Sequence, residues 1–253
     1  MVYKKGLPMS CQPDVSRKHA IRVYMVLRDV LYLSYSLPAE RIRPFVPELL
    51  PLATVADGTA FISIVVLQST QVRVSLVPLL RFNYNQLNIR TYVVDPVSGD
   101  HAVYFIKSGV SSSFISLITR ISGIPWQLLD LELKKDVHNN QGRYNVSGDW
   151  GGDFHLAAES SADSFANAPL FKTRQSAVDF LIRPLIGFIG DNRRLGRFTI
   201  SHPEVQPRSW LLRQMDFPLF RELGLVDEFN NPHSVFYLPE ADFSIYLPPR
   251  KIK

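Results

Sequence analysis

The 253-residue sequence predicts an α+β fold that is mostly β, built as a single domain with a few peripheral helices. Three observations predict it. The run Tyr84–Val94 alternates strictly, with Leu87, Ile89, Thr91 and Val93 on one face and Gln86, Asn88, Arg90 and Tyr92 on the other. Further strand-like segments flank it on both sides, separated by turn residues such as Asp57-Gly58 and Asp95-Pro96-Val97-Ser98-Gly99. No repeat, linker or low-complexity block divides the chain, and its length is ordinary for a one-domain β-barrel.

In order, residues 1–18 read as a flexible N-terminal tail and residues 19–253 as the domain. Val30–Tyr35 is a first strand. Pro38 opens a helix to Val46, proline being tolerated early where its missing N–H is not needed, and Pro44, Pro47 and Pro51 break it. Strands are expected at Leu52–Val55 and Thr59–Leu67, with Gln71–Leu80 pairing beside them. After the central strand and its turn comes His101–Lys107. A serine among Ser111, Ser112 and Ser113 caps a helix to Ile121, stopped by Gly123 and Pro125. Gln127–Lys135 alternates, with Leu129, Leu131 and Leu133 inward. Strands at Gly142–Asp149 and Asp153–Ala158, a helix at Ser176–Ile186, and strands at Arg197–Ser201, Ser234–Leu238 and Phe243–Leu247 complete the series.

Hydrophobic residues at 46% and charged residues at 20% give enough apolar surface for a sizeable core and argue against disorder. The net charge of +5 is only mildly basic. Cys11 is the single cysteine, so no disulfide forms within the chain, which suits a reducing cytoplasm. Lys4 and Lys5 lead into Pro8, Gln12, Pro13 and Asp14 and not into an apolar leader. Apolar windows are too short to span a bilayer or are broken by Arg22, Arg28 and Arg183. The expectation is a cytoplasmic protein with no membrane association.

A central strand carrying two amides, a guanidinium and a phenol on one face lines something polar, and a ligand cavity is the expected reading. Arg90 is either a bidentate clamp on an anion or a structural guanidinium satisfying carbonyls. Gln86 and Asn88 either orient polar groups of a ligand or form an amide network. Tyr92 and Tyr104 are hydrogen-bond donors to a ligand or core tyrosines. His202 is a general base or a structural histidine. The six histidines show no metal-ligand spacing, although Asp153 and His155 share a strand face, so no metal and no cofactor is expected. No Gly-x-Ser-x-Gly elbow, phosphate loop or dinucleotide fingerprint occurs. The basic group Arg183, Arg193, Arg194 and Arg197 is diluted by Asp191 and lacks interleaved aromatics, so no nucleic-acid partner is expected.

Several motifs occur in a recognisable order. They are Leu37-Pro38, Phe45-Val46-Pro47, Asp57-Gly58-Thr59-Ala60-Phe61, Asn88-Ile89-Arg90-Thr91-Tyr92-Val93, Val103-Tyr104-Phe105, Gly123-Ile124-Pro125 and Ser201-His202-Pro203. Together they resemble the acetoacetate decarboxylase-like superfamily, and more closely its YqjF-like uncharacterised branch, over Asp29–Pro248. The resemblance implies a β-barrel-like fold with an internal, largely apolar cavity, and a possible homo-oligomer. It also implies a Gly-aromatic-Pro-Lys-Lys stretch with a Schiff-base lysine, and a glutamate on the central strand. Here Gly123 and Pro125 remain, but Trp126 and Gln127 stand in place of the lysines and Gln86 in place of the glutamate. Trp forms no imine and Gln exchanges no proton near neutral pH, so the decarboxylase mechanism is not carried over. Arg120, just before the Gly-x-Pro turn, matches an arginine of the superfamily and either binds an anion or caps helix carbonyls.

The expected function is binding of a small anionic or carbonyl-bearing molecule by Gln86, Asn88, Arg90, Tyr92, Tyr104, Arg120 and Trp126. Any turnover would be lyase, hydratase or isomerase chemistry without an imine, with Arg90 and Gln86 polarising the substrate. One alternative is a Schiff-base enzyme using Lys107, read as sharing a strand face with Val103 and Phe105; Lys134, Lys135 and Lys172 are read as solvated or loop residues. The other is a non-catalytic carrier or sensor.

Overall fold

The computed structural model describes residues 21–121, 123–138, 141–161, 170–225 and 231–252. The expected tail, with Cys11, lies outside the described residues. In chain order the strands are β1 (Ile21–Pro38), β2 (Thr59–Val74), β3 (Val77–Val94), β4 (His101–Val110), β5 (Gln127–Leu128), β6 (Asp130–His138) and β7 (Gln141–Asp149). They continue as β8 (Asp153–Ser160), β9 (Ile186–Ile189), β10 (Gly196–Ser201), β11 (Arg208–Asp216), β12 (Ser234–Leu247) and β13 (Arg250–Lys251). The α-helices among the described residues are α1 (Ala39–Ile42), α2 (Ser113–Ile121), α3 (Arg174–Leu181) and α4 (Pro218–Glu222).

The long antiparallel strands β1 to β4 lie side by side in sequence order, and β9 joins β4 in parallel. From β9 the ladder passes to β10, from β10 to β12 through Ile200↔Ile245, and from β12 back to β1. These seven strands make a closed ring with no free edge between them. At the other end of β12, Ser209↔Phe236 starts a wing that runs β11, β8, β7, β6. The fold is mostly β, a closed ring of strands bearing a second antiparallel layer.

Alternation assigns the two faces of the ring. Leu31, Leu33, Ile62, Ile64, Leu87, Ile89 and Val93 point outward and pack against Leu131, Tyr144, Val146, Phe154 and Trp210 of the wing. Met25, Leu27, Tyr32, Val65, Leu67 and Phe105 point inward with Ile182, Ile200 and Leu238. With both faces covered, β1 to β3 can be apolar on one side and mixed on the other.

Several elements differ from the sequence reading for local reasons. Gln71–Leu80 is not a separate strand, because Val74 pairs with Val77 and makes it the tip of the β2–β3 hairpin. Leu52–Val55 gives only isolated bridges, Leu52↔Val93 and Thr54↔Ala60. The helix after Pro38 is one turn of α followed by a 3₁₀ turn, Arg43–Phe45, that contains Pro44. The helix expected to reach Ile186 stops at Leu181 ahead of Pro184, and Ile186 opens β9. β11 was not expected, because a register shift between Leu212 and Gln214 breaks its period of two. Ser234–Leu238 and Phe243–Leu247 are one strand, which β1 pairs throughout except at Asp29 and Pro239, Asp29 having φ of 48°. No helix among the described residues is long and apolar enough to cross a membrane.

One buried carboxylate ties the central strand to the ring closure. Asp95, without solvent exposure, accepts hydrogen bonds from the Val97 amide (3.1 Å), Ser98 Oγ (2.7 Å) and both Nε and Nη2 of Arg197 on β10 (2.9 and 2.7 Å). Burial alone would raise its pKa, but the hydrogen bonds from Arg197, Ser98 and Val97 and the arginine's charge outweigh that and hold it below the usual value. The folded chain therefore binds this proton more weakly than the unfolded chain. The stabilisation is present above the unfolded carboxylate value of about 3.9 and is lost as pH falls through the lower folded value. Asp95→Ala is expected to lower the unfolding free energy by about 3 kcal/mol near neutral pH, because it strands Arg197. Urea titrations of both proteins should show that difference shrinking below about pH 4.

Candidate functional site

Every strand of the ring contributes to one internal cavity. Met25 and Tyr32 come from β1, Val65 and Leu67 from β2, Gln86, Asn88 and Arg90 from β3, and Phe105 from β4. Ile189 comes from β9, Phe198 and Ile200 from β10, and Leu238 and Phe243 from β12, while Ile124 and Trp126 enter from the Gly-x-Pro turn. The cavity's volume is about 100 Å³, and it opens to solvent at its mouth. An apolar cavity of about 150 Å³ takes benzene, so the enclosed part suits a group of only a few heavy atoms.

Three of the polar residues expected on β3 meet here. Gln86 and Asn88 are buried, at 7% and 4% exposure, and Gln86 Nε2 donates to Asn88 Oδ1 at 2.9 Å. Arg90 is half-buried beside them. Its Nη2 donates to the Leu181 carbonyl at 2.6 Å at the end of α3, and its guanidinium lies 5.2 Å from the Tyr32 ring and 5.7 Å from the Tyr92 ring. Its Nε is buried with no hydrogen-bond partner. No aspartate, glutamate or lysine lines the cavity among the described residues. The site is an arginine cation with two amides in an apolar chamber.

Its neighbours leave that charge uncompensated. Burial holds the Tyr32 phenol above its usual value, although the charge of Arg90 works against that, so Tyr32 stays protonated. His101, 4.2 Å from the Phe180 ring, is pushed down to about 4 by burial and by Arg90. It is therefore neutral near pH 7. His202 lines the cavity, stacks on Phe243 at 5.9 Å and 4°, and pairs through Nδ1 with the Pro203 carbonyl at 2.8 Å. Burial lowers its pKa, the Pro203 carbonyl opposes that, and Arg90 and Arg183 add to the lowering. With Nδ1 carrying the proton given to Pro203, its Nε2 is left with a lone pair.

The other expected residues are placed elsewhere. Tyr92 is fully buried outside the cavity lining, with its hydroxyl 2.8 Å from Ser63 Oγ and 2.9 Å from the Leu181 carbonyl. Tyr104 faces the outer core and donates to the Gly190 carbonyl at 2.7 Å. Arg120 is exposed in the last turn of α2. Trp126 does line the cavity, its ring 6.4 Å from that of Tyr84.

Lys107 does not share a face with Phe105. A bulge between Ile89 and Arg90 sets Phe105 opposite Arg90 and Lys107 opposite Ile89, so Lys107 turns to the outer side. Lys134 is exposed and pairs with Glu132 at 2.9 Å. Lys135 is exposed, as read, and its amine is held by Asp29 at 2.7 Å and by the Tyr237 hydroxyl. Two of the basic group are paired, Arg197 with Asp95 and Arg183 with Asp179, while the backbone amides of Arg193 and Arg194 cap Asp191. No three His, Cys, Asp or Glu side chains converge to hold a metal among the described residues.

Tyr32 and the β10 and β12 lining residues were not singled out from the sequence. Tyr32 did carry a signal, since it sits one alternation step from Leu31 and Leu33 on β1 and so shares the inward face. Nothing local marks Ile200 or Leu238, whose roles come only from ring closure.

Residues 24–242 match the family described as DUF2071, "Uncharacterized conserved protein (COG2071)". No curated protein matches the sequence. Among solved structures, the chain is similar to an acetoacetate decarboxylase-like enzyme from Sphingomonas wittichii RW1, with 12% identity, TM-score 0.55, and coverage of 97% of this chain and 99% of that one. It is similar to the enduracididine biosynthesis enzyme MppR with HEPES bound, with 14% identity, TM-score 0.58, and coverage of 93% and 88%. It is also similar to acetoacetate decarboxylase from Legionella pneumophila, with 11% identity, TM-score 0.56, and coverage of 100% and 98%. MppR has also been solved with pyruvate. At these identities the likeness establishes the fold.

The Tyr92 hydroxyl serves the α3 connection, so Tyr92→Phe should destabilise the protein by about 1–2 kcal/mol in a denaturant titration.

Proposed function

The chain belongs to the DUF2071 family, and from that premise we propose that it binds a small organic carboxylate inside the ring, with Arg90 as the anchor. The observation that carries this reading is the buried Nε of Arg90, without a partner among the described residues, in a cavity that none of their acidic side chains lines. Withdrawing a cation from water is unfavourable unless an anion or hydrogen bonds replace the solvent. A guanidinium offers Nε and Nη as a fork that fits a carboxylate. Gln86 and Asn88, on the same face of β3, supply an amide donor and acceptor for a carbonyl or hydroxyl on the same molecule.

Size narrows the class to a compact acid. A 2-oxo acid of the dimensions of pyruvate suits the enclosed space, and the pyruvate complex of MppR supports the choice. With no lysine of the described residues in the lining, turnover of such a ligand would proceed without an imine, as lyase, hydratase or isomerase chemistry. Arg90 and the amides would stabilise charge developing on oxygen, and His202 is the group positioned to exchange a proton. The reading needs no cofactor. It treats residues 19–253 as one domain and a reducing cytoplasm as its setting.

Calorimetry with pyruvate and with its methyl ester tests the reading directly. The acid should bind and the uncharged ester should not. Arg90→Met, checked for fold by circular dichroism, should weaken pyruvate roughly tenfold or more. Unaltered affinity in that variant would remove Arg90 as the anchor. Borohydride treatment with pyruvate should leave the intact mass unchanged; an adduct lost in Lys107→Ala would overturn the imine-free reading.

A further inference from the structure

A second pocket, of about 530 Å³, lies on the other side of the ring wall. Alternation along β1 creates it: Met25 and Leu27 line the inner cavity, while Arg22 and Tyr24 stand on the outer face. The register brings Arg73 of β2 opposite Tyr24, and Tyr246 and Ser244 of β12 opposite Arg22 and Tyr24. Both guanidiniums gather on one ring. Arg22 lies 4.2 Å from the Tyr24 centroid and Arg73 5.4 Å from the same centroid, with Tyr246 5.5 Å from Arg22.

Stacking of this kind fixes the plane of a guanidinium and leaves its N–H edges for planar anions. Arg22 Nη2 donates to Ser244 Oγ at 3.3 Å, but its Nε is buried without a hydrogen-bond partner. Asp242 is the acidic residue of this lining, and among the described residues it forms no ion pair with either arginine. Gln71 and Ser201 add neutral polar groups to the wall. Two cations and one carboxylate leave a positive balance in a polar pocket. Met25, His202 and Phe243 line both spaces, so the two adjoin at the stacked His202–Phe243 pair.

We propose that this outer pocket is a second oxyanion site, taking the phosphate or carboxylate group of a small molecule between Arg22 and Arg73, distinct from the Arg90 cavity. The site rests on its own residues, so it stands or falls apart from the carboxylate reading of the inner cavity.

Inorganic phosphate titrated into the full chain by calorimetry is the test, with succinate as the carboxylate probe. Saturable binding of either probe is expected, weakened roughly tenfold or more by Arg22→Gln and by Arg73→Gln, with phosphate binding unaltered by Arg90→Met. Arg73 is exposed, so its variant keeps the test decisive if Arg22→Gln fails to fold. Whichever probe binds more tightly identifies the source of the oxyanion. Absence of binding by both probes, or affinities unaltered in Arg73→Gln, would overturn the proposal. Phosphate binding abolished by Arg90→Met would do the same by assigning the anion to the inner cavity.

Discussion

A guanidinium in a largely apolar cavity that no carboxylate of the described residues lines is the constraint on which the rest of this molecule turns. Arg90 retains one carbonyl, that of Leu181, and the faces of Tyr32 and Tyr92, but its Nε has no partner. An anion would complete it, because a buried N–H of a charged group left without a partner is disfavoured. The surrounding groups do not relieve the charge: Tyr32 is kept protonated by burial, and His101 and His202 are both shifted toward the neutral form. Each neighbour is tuned so that an incoming anion is the natural counter-charge.

The fold makes that arrangement tolerable. Ring closure through β10 and β12 removes free edges and surrounds β3 with apolar side chains from every other strand. The wing of β6, β7, β8 and β11 buries the opposite face of β1 to β3, and that burial offsets the unfavourable polar interior. Asp95 and Arg197 pin the turn after β3 to β10, so the strand that carries the anchor is fixed at one end by a buried ion pair.

Much of this was legible in the sequence because it follows from period two. The alternation of Leu87, Ile89, Thr91 and Val93 against Gln86, Asn88, Arg90 and Tyr92 assigned both faces of β3 correctly, and the order of motifs pointed to the decarboxylase-like fold. What alternation cannot report is depth and register. Tyr92 lies on the inward face yet is sealed beneath Leu181, because α3 covers that end of the ring. Lys107 appeared to share a face with Phe105 until a single bulge residue, Ile106, reversed it. β11 hid behind a similar irregularity, and ring closure joins residues more than a hundred positions apart, which no local pattern encodes.

The most direct measurement is a crystal structure of the full chain grown with pyruvate. The account predicts the carboxylate against Arg90, with one oxygen within hydrogen-bond distance of Nε, and the keto oxygen toward Gln86 and Asn88. An ordered water satisfying Nε with no acid in the cavity, or an acid bound with its carboxylate turned away from Arg90, would contradict it.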